Sequence, residues 1–206
     1  ARRVAPGKPS RRLARDGCRA RRNLTAQPHQ SGAAREVDSR SDPRDARTAG
    51  ELSLTAFGEA EYQRFRSSNI DVFHTAVGFG GPEAYQYALK YFMSGNALIA
   101  GQTDYFMRVD SAGDFARAKA GNRIGILLGA QNSDHFTSPA AVAEFYGFGQ
   151  RVSQLTYNSR NWIGNGSTER RDDGISDYGA SIIAKMNEVG MAVDVSHCGD
   201  RTSVEA

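Results

Sequence analysis

Apolar and polar positions alternate along most of the chain with two periods, one typical of strands and one typical of helices. Short apolar or β-branched runs predict strands at residues 69–76, 124–130, 152–157 and 191–195. Apolar residues at three- and four-residue spacing predict helices at residues 59–68, 82–94, 111–121, 139–148 and 176–189. Strands that alternate with helices indicate a parallel sheet covered by helices. The pattern therefore predicts an α/β fold.

Local signals mark the ends of two of these helices. Pro82 follows a glycine-rich turn and is predicted at the first helical position, where its missing N–H costs nothing. Ser111 is predicted as an N-cap, Asp114 as the third helical residue and Gly121 as the stop. These signals place helix boundaries independently of the apolar spacing.

Polar side chains come directly after three of the predicted strands. Gln131, Asn158 and His197 each follow a strand at its carboxyl end. In parallel α/β folds the carboxyl ends of the strands form the edge at which ligands bind. The sequence therefore predicts a site at this edge, with His197 as a candidate member of the site.

Neighbouring residues admit both a functional and a structural interpretation. Asp134 and His135 could bind a metal, although His135 is more readily explained as a packing or capping residue. Asp194 either supports the site through a hydrogen bond or is a satisfied buried acid. Cys198 is predicted to be a small buried filler, because no base that would activate its thiol is evident.

The first fifty residues differ in composition from the remainder of the chain. They hold 13 basic and 5 acidic residues and no aromatic residue, whereas residues 51–206 carry a net charge of −5. A segment so poor in apolar residues cannot offset its ordering entropy, so it is predicted to be disordered. Three interpretations stay open: an arm for nucleic acid or another anionic surface, an extension without a role, and a stretch that is not native coding sequence.

Length and composition limit the remaining possibilities. A chain of 206 residues is long enough for one domain with a core, and no apolar run approaches the length of a membrane span. The first residues show no apolar signal-peptide region. The two cysteines, Cys18 and Cys198, are too far apart in sequence to suggest a disulfide framework or a metal knuckle. We therefore expect a cytoplasmic protein without a membrane partner.

Two longer motifs resemble a known family. Residues 149–164 read GQRVSQLTYNSRNWIG, and residues 172–202 read DDGISDYGASIIAKMNEVGMAVDVSHCGDRT. In order and spacing they closely resemble the membrane (renal) dipeptidase family of zinc peptidases. The resemblance covers roughly residues 69–206 and is absent from residues 1–50. It implies a (β/α)8 TIM barrel of the metal-dependent hydrolase type, a binuclear zinc site and hydrolysis of dipeptides.

The resemblance also implies roles for individual residues. His197 matches a histidine that contacts the substrate, and Asp194 is expected to support it. Gln131 occupies the position of the glutamate that bridges the two metals, and no His-x-Asp motif is present. A neutral amide cannot supply the charge of a bridging carboxylate. We therefore expect residues 51–206 to form an incomplete barrel, a fragment that holds no intact zinc site and is inactive alone.

Two other functions stay open at this stage. The barrel could be a pseudoenzyme that binds a small peptide or amide at the edge that carries His197, without metal. Alternatively, the basic residues 1–50 could make the chain a nucleic-acid-binding protein, although nucleic acid is not the expected partner. An incomplete barrel would also leave unpaired sheet edges, from which we expect self-association.

Overall fold

The computed structural model of the chain describes residues 57–206, so the predicted disorder of residues 1–50 lies outside the described residues. Six helices and five strands form within residues 57–206. The helices are α1 (Glu59–Ser67), α2 (Ala84–Gly101), α3 (Ala112–Ala120), α4 (Pro139–Gly147), α5 (Asp177–Val189) and α6 (Asp200–Glu205). The strands are β1 (Val72–Val77), β2 (Phe106–Arg108), β3 (Ile124–Ala130), β4 (Gln150–Gln154) and β5 (Ala192–Asp194).

The five described strands form one parallel sheet. Its main path runs β1-β3-β4-β5, and β2 pairs with β3. β1 and β4 both pair with residues 128–130 of β3, so they lie on opposite edges of that strand. The amide of Ile124 donates to the carbonyl of Tyr105 at 2.8 Å, whereas the next amide, Gly125, donates towards β1. β2 and β4 therefore lie end to end on the same edge of β3, and the predicted α/β fold with a parallel sheet is confirmed.

The core lies where the helices pack on the sheet. α4 and α5 pack against each other, and both also contact strands of the sheet. Burying these apolar faces is the main favourable contribution to the stability of the fold. The largest fully buried side chains include Tyr91, Phe92, Ile124, Leu128, Phe145, Ile182 and Met186.

Several predicted elements are confirmed with their boundaries. β3 has the predicted bounds, and α3 has Ser111 as its N-cap, with Asp114 completing a capping box. Ser176 caps α5, because its hydroxyl accepts a hydrogen bond from the amide of Gly179 at 2.9 Å. Gly190 ends α5 with a φ of 82°, a left-handed conformation that glycine adopts without strain.

Other predictions of secondary structure were wrong in detail. Pro82 is not at the first helical position: α2 begins at Ala84 after the N-cap Glu83, because Gly81 turns the chain with a φ of 77°. α2 also continues beyond Ser94 to Gly101, since its buried face extends to Ile99. β4 begins at Gln150 and ends at Gln154, whereas residues 152–157 were predicted. β2 was not predicted.

Alternate positions on one face of β1 are left exposed by the described residues. Along β1 the exposed positions His74 and Ala76 alternate with the half-buried positions Thr75 and Val77. His74 lies across β3 at Gly129, where even a methyl group would collide with the imidazole. In a closed barrel this face would line the interior. Among residues 57–206, no helix has the length and apolar character needed to cross a membrane.

Candidate functional site

The carboxyl ends of the strands bring the predicted residues to one edge of the sheet. Gln131 directly follows β3, and His197 lies three residues after β5. Asn158 lies in the loop that follows β4, four residues after Gln154, and contacts His197 directly. We call this edge, with Gln131, Asn158 and His197, the rim.

His197 is held in one orientation by the loop that follows β4. Its backbone adopts a left-handed conformation with a φ of 60°. Its carbonyl accepts a hydrogen bond from the amide of Ser167 at 2.8 Å, and its ring lies 4.6 Å from the Tyr157 ring. Its Nδ1 lies 2.8 Å from Asn158 Oδ1. Positive φ is uncommon outside glycine, so the surrounding contacts stabilise a conformation that the backbone alone would not favour.

The hydrogen bond to Asn158 determines what the imidazole of His197 can do. An amide oxygen only accepts hydrogen bonds, so Nδ1 carries the proton. In the neutral ring Nε2 then presents a lone pair, which can accept a proton or bind a metal. Histidines that ligate metals are commonly oriented in this way, by a hydrogen bond from the other ring nitrogen to an oxygen. His197 is therefore an oriented base, compatible with the predicted substrate contact and also with metal ligation.

Asp194 ends β5 and supports the turn that leads to His197. Its Oδ1 accepts a hydrogen bond from the amide of Ser196 at 2.8 Å. Its negative charge also acts to raise the pKa of His74, although desolvation has the larger effect and lowers that pKa overall. Asp194 thus faces the same side of the sheet as His74. A supporting role for Asp194 fits these contacts and stays a prediction.

Gln131 is fixed to β1 through its backbone. Its amide donates to the carbonyl of Val77 at 3.0 Å, and its side-chain Oε1 lies beside Gly78. Asn132, the next residue, donates from Nδ2 to the carbonyl of Phe79 at 2.8 Å. Both side chains following β3 are therefore neutral amides, one of which is tied to the turn that follows β1.

A second asparagine extends this set of amides to the loop after β4. Asn161 Nδ2 donates to Asn132 Oδ1 and to the carbonyl of Leu155, both at 2.8 Å. Its Oδ1 accepts hydrogen bonds from the amides of Ile163 and Gly164. Asn161 therefore joins the ends of β3 and β4 through hydrogen bonds. The local sequence pattern predicted Asn158 after a strand, but it predicted neither the contact of Asn158 with His197 nor any role for Asn161.

The structure places the side chains of Asp134 and His135 in different environments. His135 is fully buried, and its Nε2 lies 3.0 Å from Gln150 Oε1, so the predicted packing role is confirmed. Burial lowers its pKa to about 4. Asp134 is only half-buried, and desolvation raises its pKa. Cys198 is buried, and burial raises the pKa of its thiol, which confirms the predicted filler role.

The described residues do not fit a binuclear zinc site. Across residues 57–206, no three His, Cys, Asp or Glu side chains lie close enough to hold a metal ion together. Structural and catalytic zinc sites need at least three such ligands from the protein. Gln131, at the position where the resemblance requires a bridging carboxylate, is an amide. His197 alone presents a suitable nitrogen at the rim.

Comparison with known sequences supports the resemblance. The sequence model described as membrane dipeptidase (peptidase family M19) matches residues 36–206. The match begins earlier than residue 69 and includes part of the basic segment, where no resemblance was predicted. An uncharacterized dipeptidase of Schizosaccharomyces pombe, C965.12, is 36% identical over 104 residues, which are 48% of this chain and 25% of the relative. The dipeptidase aclJ of Aspergillus oryzae is 36% identical over 78 residues, 36% of this chain and 18% of that protein.

Solved structures show the same fold. An amidohydrolase from Pseudomonas aeruginosa superposes with a TM-score of 0.66 and 32% identity, covering 72% of this chain and 45% of that one. A metallopeptidase from Rhodobacter sphaeroides, bound to a phosphinate mimic of the dipeptide L-Ala-D-Ala, has a TM-score of 0.59 at 15% identity. The superposition covers 77% of this chain and 57% of that one. The chain thus spans about a quarter of the first curated relative and under half of the first structure. Because the family match extends over most of its residues, the chain belongs to the membrane dipeptidase family, peptidase family M19.

Proposed function

We propose that the whole protein to which these 206 residues belong is a metallodipeptidase that hydrolyses dipeptides with zinc as its cofactor. The observation that carries the proposal is the family match over residues 36–206. The oriented imidazole of His197 at the rim adds a group of suitable chemistry. The ligands that complete a zinc site would have to come from outside residues 57–206, since the described residues do not form one.

His197 is the described residue that we propose to contact the dipeptide. As a neutral ring it accepts a hydrogen bond at Nε2, for example from a peptide N–H. As an imidazolium it donates from Nε2 to a carbonyl oxygen. Asn158 keeps the ring in place in both states, because Nδ1 carries a proton in each. Asp194 is proposed to act through the turn at Ser196 and not on the substrate itself.

The first experiment is to sequence the transcript and the genomic locus across both ends of the chain. The complete reading frame is then expressed and assayed on a panel of dipeptides, with and without a chelator. We expect hydrolysis that the chelator abolishes and zinc restores. A zinc-saturated whole protein that hydrolyses no dipeptide would contradict the proposal.

Replacing His197 separates its two chemical roles. His197→Ala in the whole protein should lower kcat/KM on dipeptides by about 10²-fold or more, as loss of an oriented base does. An unchanged zinc content would support substrate contact, and a lost equivalent of zinc would instead show that Nε2 is a metal ligand. The control is His135→Gln, which removes a buried histidine away from the rim and should leave the affinity for zinc unchanged.

The 206-residue chain alone is expected to be inactive. Because its described residues hold no group of metal ligands, it should retain less than one equivalent of zinc after dialysis and should not hydrolyse dipeptides. Metal analysis and a dipeptidase assay on the same sample test this. Turnover by the purified chain that is lost in the His197→Ala variant would overturn the expectation.

A non-catalytic barrel that binds a small peptide or amide is the second candidate, and Gln131 is the observation that favours it. If Gln131 prevents metal binding, Gln131→Glu in the whole protein should raise its zinc content, and Gln86→Glu, on an exposed position of α2, should not. Full zinc occupancy and dipeptide hydrolysis with Gln131 unchanged would rule this candidate out.

A further inference from the structure

A cavity of about 900 Å³ opens beside the rim, between the turn after β1 and the loop after β4. Its lining includes Asp134, Arg160, Trp162 and Tyr178. A smaller cavity of about 410 Å³ shares Asp134, Trp162 and Tyr178 with it. Volumes of this size are typical of sites for small molecules. His197 does not line either cavity, so the space is distinct from the position of the oriented imidazole.

The carboxylate of Asp134 is incompletely compensated in this cavity. Its Oδ2 accepts a hydrogen bond from Asn132 Nδ2 at 3.1 Å. Its Oδ1 is enclosed and forms no hydrogen bond of normal geometry, and no Lys, Arg or His of residues 57–206 forms an ion pair with it. Desolvation has the largest effect on the pKa of this carboxyl and raises it, whereas Asn132 and Asn161 act to lower it. A partly desolvated carboxylate is stabilised when a cationic donor approaches it.

A cation and an exposed aromatic ring line the same cavity. The backbone amide of Arg160 donates to Glu169 Oε1 at 2.7 Å, whereas its guanidinium has no ion-pair partner in the described part of the chain. Trp162 is 79% exposed and lines the cavity, so its indole ring is available to a ligand there. An indole face attracts ammonium groups, and a guanidinium binds carboxylates through two parallel hydrogen bonds.

We propose that this cavity binds a small zwitterion, with its ammonium group at Asp134 beside the Trp162 ring and its carboxylate at Arg160. A free α-amino acid and a dipeptide share this chemistry, and the cavity is large enough for either. A dipeptide is chosen as one probe because of the proposed function. The assignment of the ammonium to Asp134 and of the carboxylate to Arg160 does not depend on that function. The zwitterion requires neither metal nor His197 for binding.

The chain reports this binding through its own fluorescence. Trp162 is the single tryptophan among the 206 residues, so a change in tryptophan emission reports its surroundings alone. The 206-residue chain is titrated with glycine and with glycylglycine in the presence of a chelator, which prevents hydrolysis by a metal. We expect a saturable change in emission with at least one of them. N-acetylglycylglycine, which lacks the ammonium, and glycylglycinamide, which lacks the carboxylate, should each bind about tenfold more weakly.

Variants assign the two charges to their residues. Asp134→Asn and Arg160→Gln should each weaken binding about tenfold. Glu188→Gln and Arg64→Gln, on exposed faces of α5 and α1, remove the same charges elsewhere and should leave the affinity unchanged. Circular dichroism shows whether each variant is folded. If a variant unfolds, the comparison of free and blocked dipeptides on the unaltered chain still decides the question.

The outcomes separate the sources and the two proposals. Saturation by glycine identifies a site for a free amino acid, and saturation by glycylglycine alone identifies a site for a dipeptide. Equal affinity for the free and blocked dipeptides, or no saturable change with any probe, overturns the inference. In that case hydrolysis by the whole protein would still support the proposed function, since that assay measures turnover and not occupancy of this cavity.

Discussion

Gly166 lies so close to the backbone of Asn158 that no side chain fits between them. A Cβ atom at this position would collide with the carbonyl group of Asn158 and lie 2.6 Å from the amide nitrogen of Ser159. Gly166 also forms a bridge with Cys198. A single hydrogen atom in place of a side chain therefore lets the loop after β4 pack against the segment that holds His197.

Replacing Gly166 with alanine should destabilise the chain. The atoms in the way belong to backbone, which cannot rotate aside, so we expect a loss of about 1–3 kcal/mol in the free energy of unfolding. Urea denaturation measures the loss as a lower midpoint. The matched control is Gly147→Ala, where a Cβ atom would meet no atom within 4 Å. Equal midpoints for the two variants would show that the loop relaxes without cost.

His135 should make the stability of the chain depend on pH. Burial lowers its pKa from 6.5 to about 4 in the folded chain, against the effect of its hydrogen bonds to Gln150 and Asn132. Between these values the unfolded chain binds more protons, so stability falls as the pH is lowered from about 6.5 towards 4. This single group contributes up to about 3 kcal/mol. His74, whose pKa is also lowered by desolvation, acts in the same direction.

Urea midpoints between pH 7 and pH 5 test this dependence. The unaltered chain should lose stability over the range, and the variant His135→Leu should lose less, because it removes the titrating group from the core. His74→Leu measures the contribution of His74. An identical pH dependence with and without His135 would contradict the assignment.

At the scale of the elements, Arg151 joins three parts of the fold at the point where β2 ends and β4 begins along the edge of β3. Its guanidinium donates to the backbone carbonyls of Asp110 and Tyr146, at 3.0 and 2.8 Å. It forms an ion pair with Asp110 at 2.9 Å and lies 4.0 Å from the centre of the Tyr146 ring. β4, which carries Arg151, is therefore fastened to the end of α4 and to the segment that follows β2.

Arg151→Lys should weaken this junction although it keeps the charge. An ammonium group cannot reproduce several directed hydrogen bonds and stacking on a ring, so we expect a loss of about 1–3 kcal/mol. The same change at Arg171, whose side chain is 85% exposed, serves as the control and should cost little. Thermal or urea unfolding of both variants gives the comparison. A loss at Arg151 no larger than at Arg171 would mean that charge alone matters there.

Helices and strands whose limits are set by signals in their own sequence could be predicted. Those whose limits depend on contacts with other parts of the fold could not. The apolar run of β3 and the capping box of α3 are local signals, and both appear with the predicted bounds. β2 has only three residues and forms because the edge of β3 beyond β4 offers hydrogen bonds. Pro82 satisfies a local rule for helix starts, but the left-handed Gly81 delays the start of α2 to Ala84.

The same distinction holds for the site. The sequence predicted the position of His197 and Gln131 at the rim, because the end of a strand is visible in the local pattern. The partner that orients His197 could not be predicted, since Asn158 lies 39 residues away along the chain. The cavity beside Asp134 depends on two loops that meet only in the folded chain. The predicted roles of His197 and Asp194 stay predictions.

At the scale of the whole molecule, the described sheet ends in two strands that each pair on one side. In residues 57–206, β1 pairs with β3 and β5 pairs with β4, so each has a free edge. The exposed face of β1 adds uncovered side chains such as His74 and Ala76. Free edges of parallel strands present unpaired N–H and C=O groups that readily join another chain.

The purified 206-residue chain should therefore self-associate. Sedimentation velocity over a range of concentrations should show an average mass that rises with concentration. Asp194→Lys alters the charge near the β5 edge and should reduce association, whereas Glu188→Lys, on the exposed face of α5, should not. A chain that stays monomeric at all concentrations and unfolds in a single cooperative thermal transition would contradict this expectation.

The order of the strands in the sheet, β1-β3-β4-β5, is also their order along the chain. During synthesis on the ribosome, each of these strands emerges after the neighbour on which it docks. The sheet can therefore grow in one direction, with each new strand adding to an edge that is already in place. α5 reaches its position against α4 only after residues 177–189 have left the exit tunnel. The nascent chain thus exposes the apolar face of α4 until α5 arrives, and this is the interval in which a chaperone would find a binding surface.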